Sequence, residues 1–409
     1  MHFDTGFLVP VIILLGVSVL ISVVLSKLRI RVIPTFAVEI IVGIILGVLL
    51  NQYFKDQGLE STIDGLYVIG FSMIMFISGF DIDLNIVRDR NPIYKGHINI
   101  RIVTIILITL VYIASVIVSF FFWESLTEKI AGIALLTIFF SSTFAGIVAP
   151  IVTVDRMYRT GWGNLIITYS FVSEILSIVF LSIYMIVVNV SFASLWSYGI
   201  IFLVFILLYF ALKLRNRRKF DEGMVFLKTR MVVVALAIAV FFSEVGGGEY
   251  VLGAFLLGFL LKSLGVKGHY LHTIEQVGYG IFIPMFFMIV GMRINIIHFF
   301  ENPELFLTVG IILICLLLAR IPFLYLLKWY KLNTVITSII LSASTLVVAI
   351  AVDHIGVDAE IFSYSFGESL ILAAVLTSIM GPIFYEMNYV KTIRNVSLAE
   401  RGITYGKIN

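Results

Sequence analysis

The sequence predicts an all-α polytopic membrane protein of about thirteen transmembrane helices, and three observations support this class. Hydrophobic residues make up 60% of the 409 residues, charged residues make up 13% and the mean hydropathy is +1.09, a composition typical of membrane proteins. Apolar runs of about 20 residues, the length that crosses a bilayer as a helix, recur along the whole chain. The basic residues gather in alternate loops between those runs.

The predicted spans are separated by polar or charged breaks. In chain order they cover residues 6–26, 34–51, 63–80, 101–122, 130–152, 163–188, 195–213, 230–246, 249–263, 278–295, 304–328, 334–354 and 362–387. They predict a membrane domain over residues 1–390 and a short cytoplasmic tail over 391–409. Cys315, the one cysteine, lies inside a span, so neither an intrachain disulfide nor a cysteine metal cluster can form.

The basic residues predict the orientation in the membrane. Assigning alternate loops to opposite sides places 24 of the 28 basic residues on one side and 3 on the other, with Arg320 left inside a span. Because positive residues concentrate in cytoplasmic loops, the amino terminus should lie outside and the carboxyl terminus inside. We therefore expect a multi-pass protein of the plasma membrane, from a bacterium.

The two halves of the chain resemble each other, with matching motifs in the same order. The paired segments are 73–83 with 285–295, 43–50 with 254–261, Ser142-Thr143 with Ser344-Thr345, and 169–171 with 364–366. Spans 1 to 6 thus match spans 8 to 13, and the helix 195–213 is the predicted linker. Matching spans lie an odd number of crossings apart, so the repeat is inverted, an architecture that is typical of secondary transporters.

Glu174 places an ionisable side chain near the middle of the sixth span. A charged side chain at that depth costs at least about 2.5 kcal/mol, so it must be protonated, paired or in contact with water. Glu174 is therefore a candidate carrier of a proton or a cation; the alternative is a protonated Glu174 that only hydrogen-bonds a neighbouring helix. Glu368 lies close to its repeat mate and is a candidate secondary site, with placement at the membrane interface as the alternative.

Matching polar runs occur at mid-depth in the fifth and twelfth spans, at residues 141–143 and 342–345. Ser and Thr hydroxyls can bond carbonyls of their own helix, so ordinary packing is one interpretation. Because the runs are paired, we favour two discontinuous helices that meet beside Glu174, supported by Ser344 and Thr345. The predicted proton and cation site consists of Glu174, Ser173, Thr143 and Ser142, with Glu174 and Thr143 as oxygen ligands of Na⁺ or K⁺.

Arg320 lies near the middle of the eleventh span. Its guanidinium is always protonated and needs a carboxylate, carbonyl groups or water at that depth. We predict Glu174 as the charge partner. The alternative is that the side chain reaches toward the cytoplasmic end of the span, near Lys328.

Several motifs resemble those of Kef-type cation:proton antiporters and the related Nap-type sodium/proton exchangers. They are Phe76-Ile-Ser-Gly79-Phe-Asp-Ile-Asp83, Ser141-Ser142-Thr143, Gly253-Ala254-Phe255-Leu-Leu-Gly258, Pro284 to Gly291, and Gly381-Pro382. The resemblance implies a core of about 101–190 and 304–388 with crossed helices, a dimerisation scaffold of about 6–80 and 230–295, a homodimer, and elevator-like alternating access. Two features differ from the family. Ser173-Glu174 stands where members usually carry Asn-Asp, Asp-Asp or Gln-Asp, and we expect no nucleotide-binding domain after the last span.

These observations predict a monovalent cation/proton antiporter that exchanges one Na⁺ or K⁺ for one proton on Glu174, without a cofactor. The alternative is a channel-like potassium efflux protein gated by a separate cytoplasmic regulatory subunit on the basic loops. Neither a nucleophile triad nor a phosphate-binding loop can be found in the sequence, so we expect no enzyme. Membrane topology explains the basic loops, so we expect no nucleic-acid partner.

Overall fold

The computed structural model describes residues 8–28, 35–81, 99–154, 157, 160–188, 230, 232–238, 240–241, 250–263 and 269–400. Within these ranges every regular element is helical and no strand occurs. In a helix the backbone groups bond to one another, which a segment surrounded by lipid requires. The predicted all-α class is confirmed.

The helices of these ranges are numbered here in chain order. They are α1 Leu8–Leu28, α2 Thr35–Asp56, α3 Glu60–Asp81, α4 Ile100–Ser119, α5 Lys129–Ser141, α6 Ala145–Val154, α7 Gly161–Val188, α8 Tyr250–Ser263, α9 His269–Val277, α10 Ile283–Arg293, α11 Ile296–Glu301, α12 Glu304–Ala319, α13 Leu332–Ser342, α14 Leu346–Asp358 and α15 Tyr364–Glu400. The 3-10 helices Phe120–Ser125 and Ile321–Lys328 follow α4 and α12, and a π-helical turn, Gly278–Phe282, joins α9 to α10.

Nine helical stretches in the described part of the chain are long and apolar enough to cross a membrane, and the bent pair α13 and α14 would make a tenth. The predicted linker 195–213 lies outside the described residues, as does part of 230–246. The count of thirteen therefore stays a prediction. The last helix is longer than the predicted span 362–387, because α15 continues to Glu400 and includes the start of the predicted tail.

The described residues divide into two compact units. The first takes those of Met1–Ile30, Thr35–Asp83 and Met185–Ile297, and the second takes those of Leu84–Tyr184 and His298–Asn409. The predicted roles of these regions, as scaffold and ion-carrying core, stay predictions.

Glycines allow two close helix pairs in the first unit. Where α2 packs on α10, a Cβ at Gly43 would collide with the carbonyl group of Met288, and a Cβ at Gly291 would collide with that of Ile40. Small residues at such contacts let two backbones approach closely. The pair α3 and α8 repeats this packing, with Gly79 against Phe255 and Gly258 against Phe76. The glycine motifs that match between the two halves of the sequence are thus the contact points of equivalent helix pairs.

The second unit contains α4 to α7 and α12 to α15. α15 packs against α12, α13 and α14, while α5 packs against α4 and α14. This packing brings the polar runs of the fifth and twelfth predicted spans next to each other in the interior of the unit.

Candidate functional site

The fifth and twelfth predicted spans are each interrupted at their polar run. α5 ends at Ser141 and α6 begins at Ala145; α13 ends at Ser342 and α14 begins at Leu346. The second pair is bent by 41° at the break. The predicted discontinuous helices are therefore both present. We call α5 with α6 the first broken helix, and α13 with α14 the second.

Hydroxyl groups bond the last turns of α5 and α13. Ser142 Oγ donates to Phe139 O at 2.9 Å, and Ser342 Oγ donates to Ile339 O at 3.1 Å. A side chain that bonds a carbonyl three residues earlier competes with the helical backbone for that acceptor. After α5 the chain turns into extended backbone at Ser142, where φ is −71° and ψ is 150°.

The two breaks also bind each other. Their mutual hydrogen bonds run from Phe144 N to Ser344 O (2.7 Å), from Thr143 Oγ1 to Ser342 O (2.7 Å), and between Ser142 Oγ and Thr345 Oγ1. All of these side chains except that of Phe144 are polar, and all are buried. The broken helices are therefore held at a fixed crossing by contacts of both main chain and side chains.

Arg320 binds the carbonyl ends of both broken helices. Its guanidinium donates to Ser342 O at 3.0 Å, to Phe140 O at 2.6 Å, to Ser142 O, and to Thr143 Oγ1 at 3.3 Å. The side chain is fully buried. A helix carries a partial negative charge at its carboxyl end, so the fixed positive charge offsets the ends of α5 and α13.

These contacts differ from what the sequence suggested for Arg320. None of the guanidinium hydrogen bonds among the described residues is with Glu174, and the side chain turns into the crossing rather than toward the cytoplasmic end of its span. The physical reason is that the breaks expose several carbonyl oxygens in one place, and together they satisfy the fork of donors on an arginine.

Glu174 binds the opposite kind of helix end. Its Oε2 accepts a hydrogen bond from Ala145 N, the first residue of α6, at 3.0 Å, and the side chain is only 2% exposed. A helix amino terminus carries roughly half an elementary positive charge, which favours an ionised carboxylate there. A carboxylate offers about four lone-pair sites, so it can accept this N–H and also coordinate a cation.

Ser173 completes the contacts of α7 with the first break. Its Oγ donates to Ser141 O, the last carbonyl of α5, at 2.8 Å. Ser173 thus binds the end of α5 while Glu174 binds the start of α6. A donating hydroxyl keeps its lone pairs, so Ser173 can also accept a cation.

Hydrogen bonds at the two breaks involve most of the predicted site residues: Ser142, Thr143, Ser173, Glu174, Arg320 and Thr345. Ser344 contributes its carbonyl to the crossing, and its Oγ donates to Thr377 O at 3.4 Å. The hydroxyls of Ser142, Thr143 and Thr345 join the two breaks here. The role of these hydroxyls as cation ligands stays a prediction.

Glu368 lies on α15 and is buried, with 5% of its surface exposed. Its Oε2 lies 3.2 Å from Nδ1 of His298 on α11. The carboxyl group is therefore buried within the protein, and both its placement at the membrane interface and its role as a secondary site stay predictions. Because His298 is 70 residues away along the chain, this contact leaves no local signal in the sequence.

Sequence reasoning did not single out Tyr112 or Glu39. Tyr112, on α4, forms a 3.3 Å hydrogen bond with Ser177, one turn beyond Glu174 on α7. Glu39 lies on α2 in the first unit and is 3% exposed. An acidic residue inside the apolar run 34–51 was the available signal for Glu39, whereas Tyr112 has none beyond a hydroxyl in an apolar helix.

The family model described as "Sodium/hydrogen exchanger, transmembrane" matches residues 13–386. The chain belongs to this family. The resemblance to cation:proton antiporters that the sequence motifs indicated is confirmed at this level, and the family consists of transporters rather than enzymes.

Two curated relatives have names that agree with the family. "Putative Na(+)/H(+) antiporter YjbQ" of Bacillus subtilis (strain 168) is 28% identical over 404 residues, covering 95% of this chain and 64% of that protein. "Probable Na(+)/H(+) antiporter 3" of Methanocaldococcus jannaschii is 23% identical over 305 residues, covering 72% of this chain and 74% of that protein. The chain thus spans somewhat less than two thirds of the length of the Bacillus relative.

A solved structure shares the fold. The sodium proton antiporter MjNhaP1 from Methanocaldococcus jannaschii, at pH 8, aligns with 94% of this chain and 97% of its own, with a TM-score of 0.58 and 16% identity. At that identity the likeness is one of fold alone. This likeness supports the predicted fold class, a polytopic helical membrane protein.

Proposed function

We propose that this chain exchanges a monovalent cation for a proton, and that Glu174 carries each in turn. The observation that supports this most directly is the hydrogen bond that the 2% exposed carboxylate accepts from the N–H of Ala145, the first residue of α6. A buried carboxylate in a transporter is a default proton or cation site. The names of the relatives favour Na⁺ as the cation.

The contact with Ala145 explains how one residue could hold both ions. With a cation bound, Oε2 can keep accepting the N–H of Ala145 while the remaining lone pairs coordinate the ion. With a proton bound, the carboxylic acid still has acceptor capacity for the same N–H. The side chain therefore keeps its position in both loaded states, and only the bound ion changes.

The site should exchange one proton for one cation without moving net charge. Arg320 hydrogen-bonds carbonyl groups and a hydroxyl, none of which can take its proton, so it contributes a constant positive charge. Ser173 adds no titratable group beside the carboxylate. A single carboxylate that holds either H⁺ or M⁺ then returns to the same charge in both half-cycles.

Alternating access by an elevator-like movement fits the division of the chain. The whole cluster around Glu174 belongs to the second unit, so the carrier and the two broken helices can move together. Most helices of the first unit pack through close glycine contacts, as a fixed scaffold would. We propose that this scaffold forms a homodimer in the plasma membrane.

The test is proton flux in proteoliposomes when Na⁺, K⁺ or Li⁺ is added to the full-length protein. We expect Na⁺ to dissipate an imposed pH gradient and Glu174→Gln to reduce the flux to that of empty liposomes, because the amide keeps the shape but cannot titrate. Glu304→Gln, at an exposed position on α12, is the matched control and should transport normally.

Two results would contradict the proposal. Retained exchange in purified Glu174→Gln would exclude this residue as the carrier. Cation conductance without proton movement would favour the channel-like alternative, with a separate gating subunit.

A further inference from the structure

Two serines lie close to Glu174 along α7. Ser173 directly precedes it. Ser177 follows Glu174 by three residues and Ser173 by four, spacings that place its side chain next to both of theirs on a helix. Ser173 is 1% exposed and Ser177 is fully buried. The carboxylate is thus bordered along α7 by hydroxyl oxygens, the ligand type that alkali cations accept.

Tyr112 extends this set of oxygens from α4. Its hydroxyl lies 3.3 Å from Ser177 Oγ, and its phenol also interacts with the side chain of Ser141 at the end of α5. The ring is held edge-on against Phe180, with centroids 5.3 Å apart and an interplanar angle of 77°. The position of the hydroxyl is therefore fixed by packing on α7.

Tyr112 is also only half-buried, while Ser177, Ser173 and Glu174 are enclosed. A route along these oxygens would start at the half-buried Tyr112, pass Ser177 and end at the carboxylate one turn away on α7. An ion that loses its water along this route needs replacement oxygens at each step.

The hydrogen-bonding capacity of these groups allows such a role. Two hydroxyls that share one hydrogen bond use one proton and one lone pair, so lone pairs remain on both oxygens. Ser142, Thr143 and Thr345, in contrast, bind one another or main-chain carbonyls across the breaks. The hydroxyls of Tyr112 and Ser177 are close to Glu174 in sequence or packing, and they form none of the hydrogen bonds described above between the two breaks.

We propose that Tyr112 and Ser177 form a binding subsite for a partly dehydrated monovalent cation, through which the ion reaches Glu174. The proposal rests on the cation/proton exchange proposed above. It assigns the apparent affinity and selectivity for the cation to these two hydroxyls, and the exchange step itself to Glu174.

The test compares Tyr112→Phe and Ser177→Ala with the unmodified protein in proteoliposomes. Tyr112→Phe keeps the ring on Phe180 and removes one oxygen, so we expect the KM for Na⁺ to rise about tenfold, as for one lost ligand bond, with little change in kcat. Ser177→Ala should raise KM similarly, and the double variant should raise it further, up to about a hundredfold, since two ligand oxygens of one ion are then lost.

Tyr184→Phe is the matched control. It removes a buried phenol hydroxyl from α7, ten residues beyond Glu174 and away from the cluster, and should leave KM unchanged. A second readout is the rise in thermal unfolding midpoint of the purified protein when Na⁺ is added. Tyr112→Phe should need about tenfold more Na⁺ for the same rise.

The outcomes separate this subsite from the proposed function. If Tyr112→Phe and Ser177→Ala leave the KM and the Na⁺-dependent unfolding midpoint unchanged while Glu174→Gln is inactive, the subsite is wrong and the carrier stands. A loss of kcat with unchanged KM would make Tyr112 a structural or proton-transferring group and would also overturn the subsite. Should either variant fail to fold, the other decides by the same criteria. Exchange by Glu174→Gln would instead defeat the proposed function.

Discussion

The two broken helices meet at one crossing but differ at their second halves. The carboxyl ends of their first halves share one partner, since Arg320 donates to Ser142 O after α5 and to Ser342 O at the end of α13. The amino end of α6 binds the carboxylate of Glu174. The amino end of α14 has Thr345 at its cap, with no side-chain hydrogen bond to the helix.

The difference continues on the helices that pack beside the breaks. By the match of residues 169–171 with 364–366, an offset of 195, the counterpart of Glu174 is Ser369 on α15. Ser369 Oγ donates to Ser365 O of its own helix at 2.8 Å, so it does not extend to a break through that hydroxyl. The two repeats therefore provide similar broken helices, but at this matched position α7 carries the titratable Glu174 and α15 carries Ser369.

The largest structural effect should come from Arg320→Met, which removes the guanidinium hydrogen bonds to both broken helices. Hydrogen bonds to a charged group contribute about 1.5–3 kcal/mol each, so losing several at once should lower the thermal unfolding midpoint strongly and abolish exchange. Arg320→Lys, which keeps the charge but has fewer donors, should fall between this variant and the unmodified protein.

Arg293→Met is the control for Arg320. Arg293 is an exposed arginine on α10 that forms a 2.8 Å ion pair with Asp64. Surface pairs contribute about 0–1 kcal/mol, so its loss should change little. Arg320→Met with normal stability and transport would show that the helix ends need no compensating charge.

The hydrogen-bond partners of Arg320 could not be predicted from the sequence. The apolar runs, the two polar interruptions and the mid-depth Glu174 all follow from patterns along the chain. The partners of Arg320 are main-chain carbonyls of residues 140, 142 and 342, and a carbonyl looks the same in every residue. Only the three-dimensional crossing shows that they converge.

The burial of Glu368 and Glu39 could not be predicted from the sequence either. Glu368 is enclosed because α11 places His298 beside it, and Glu39 is enclosed on α2 in the first unit, where α2 packs closely against α10. Both facts depend on which helices pack together, which hydropathy does not encode. Glu174 was recognisable because an ionisable side chain at mid-span must be protonated, paired or in contact with water, whichever helices pack around it.

A moderate effect is expected from Thr143→Val, which removes one side-chain bond of the crossing without changing its shape. The hydroxyl of Thr143 donates to Ser342 O, so its loss should cost about 1 kcal/mol of stability and slow exchange a few-fold. Thr345→Val removes the contact from the second broken helix and should behave alike.

Thr137→Val is the matched control on α5 outside the crossing, since Thr137 Oγ1 donates to Ile133 O at 2.7 Å and lies 3.3 Å from Ser119 Oγ of α4. Flux assays and thermal unfolding of the purified variants provide the measurement. A much larger effect for Thr143→Val than for Thr345→Val would mean that the two breaks do not support the crossing equally.

The smallest effect should follow Glu368→Gln. An amide can still hydrogen-bond His298, and a group that carries no ion in the cycle can lose its charge with little change in flux, less than about twofold. The measurement is Na⁺-driven proton flux beside that of Glu174→Gln. If Glu368→Gln is equally inactive, both halves of the repeat carry an essential carboxylate and the asymmetry described above is wrong.

The most direct test of the central claim, that one carboxylate carries both ions, is the response of exchange to membrane potential. Na⁺-driven proton flux would be followed in proteoliposomes clamped with K⁺ and valinomycin at potentials of opposite sign, with Glu174→Gln liposomes reporting the leak. We expect the same final pH gradient at both potentials. One net charge per cycle would add about 2.3 kcal/mol per 100 mV, which corresponds to a shift of about 1.7 pH units if one proton moves per cycle and about 0.8 if two do. A gradient that follows the clamped potential would contradict the account.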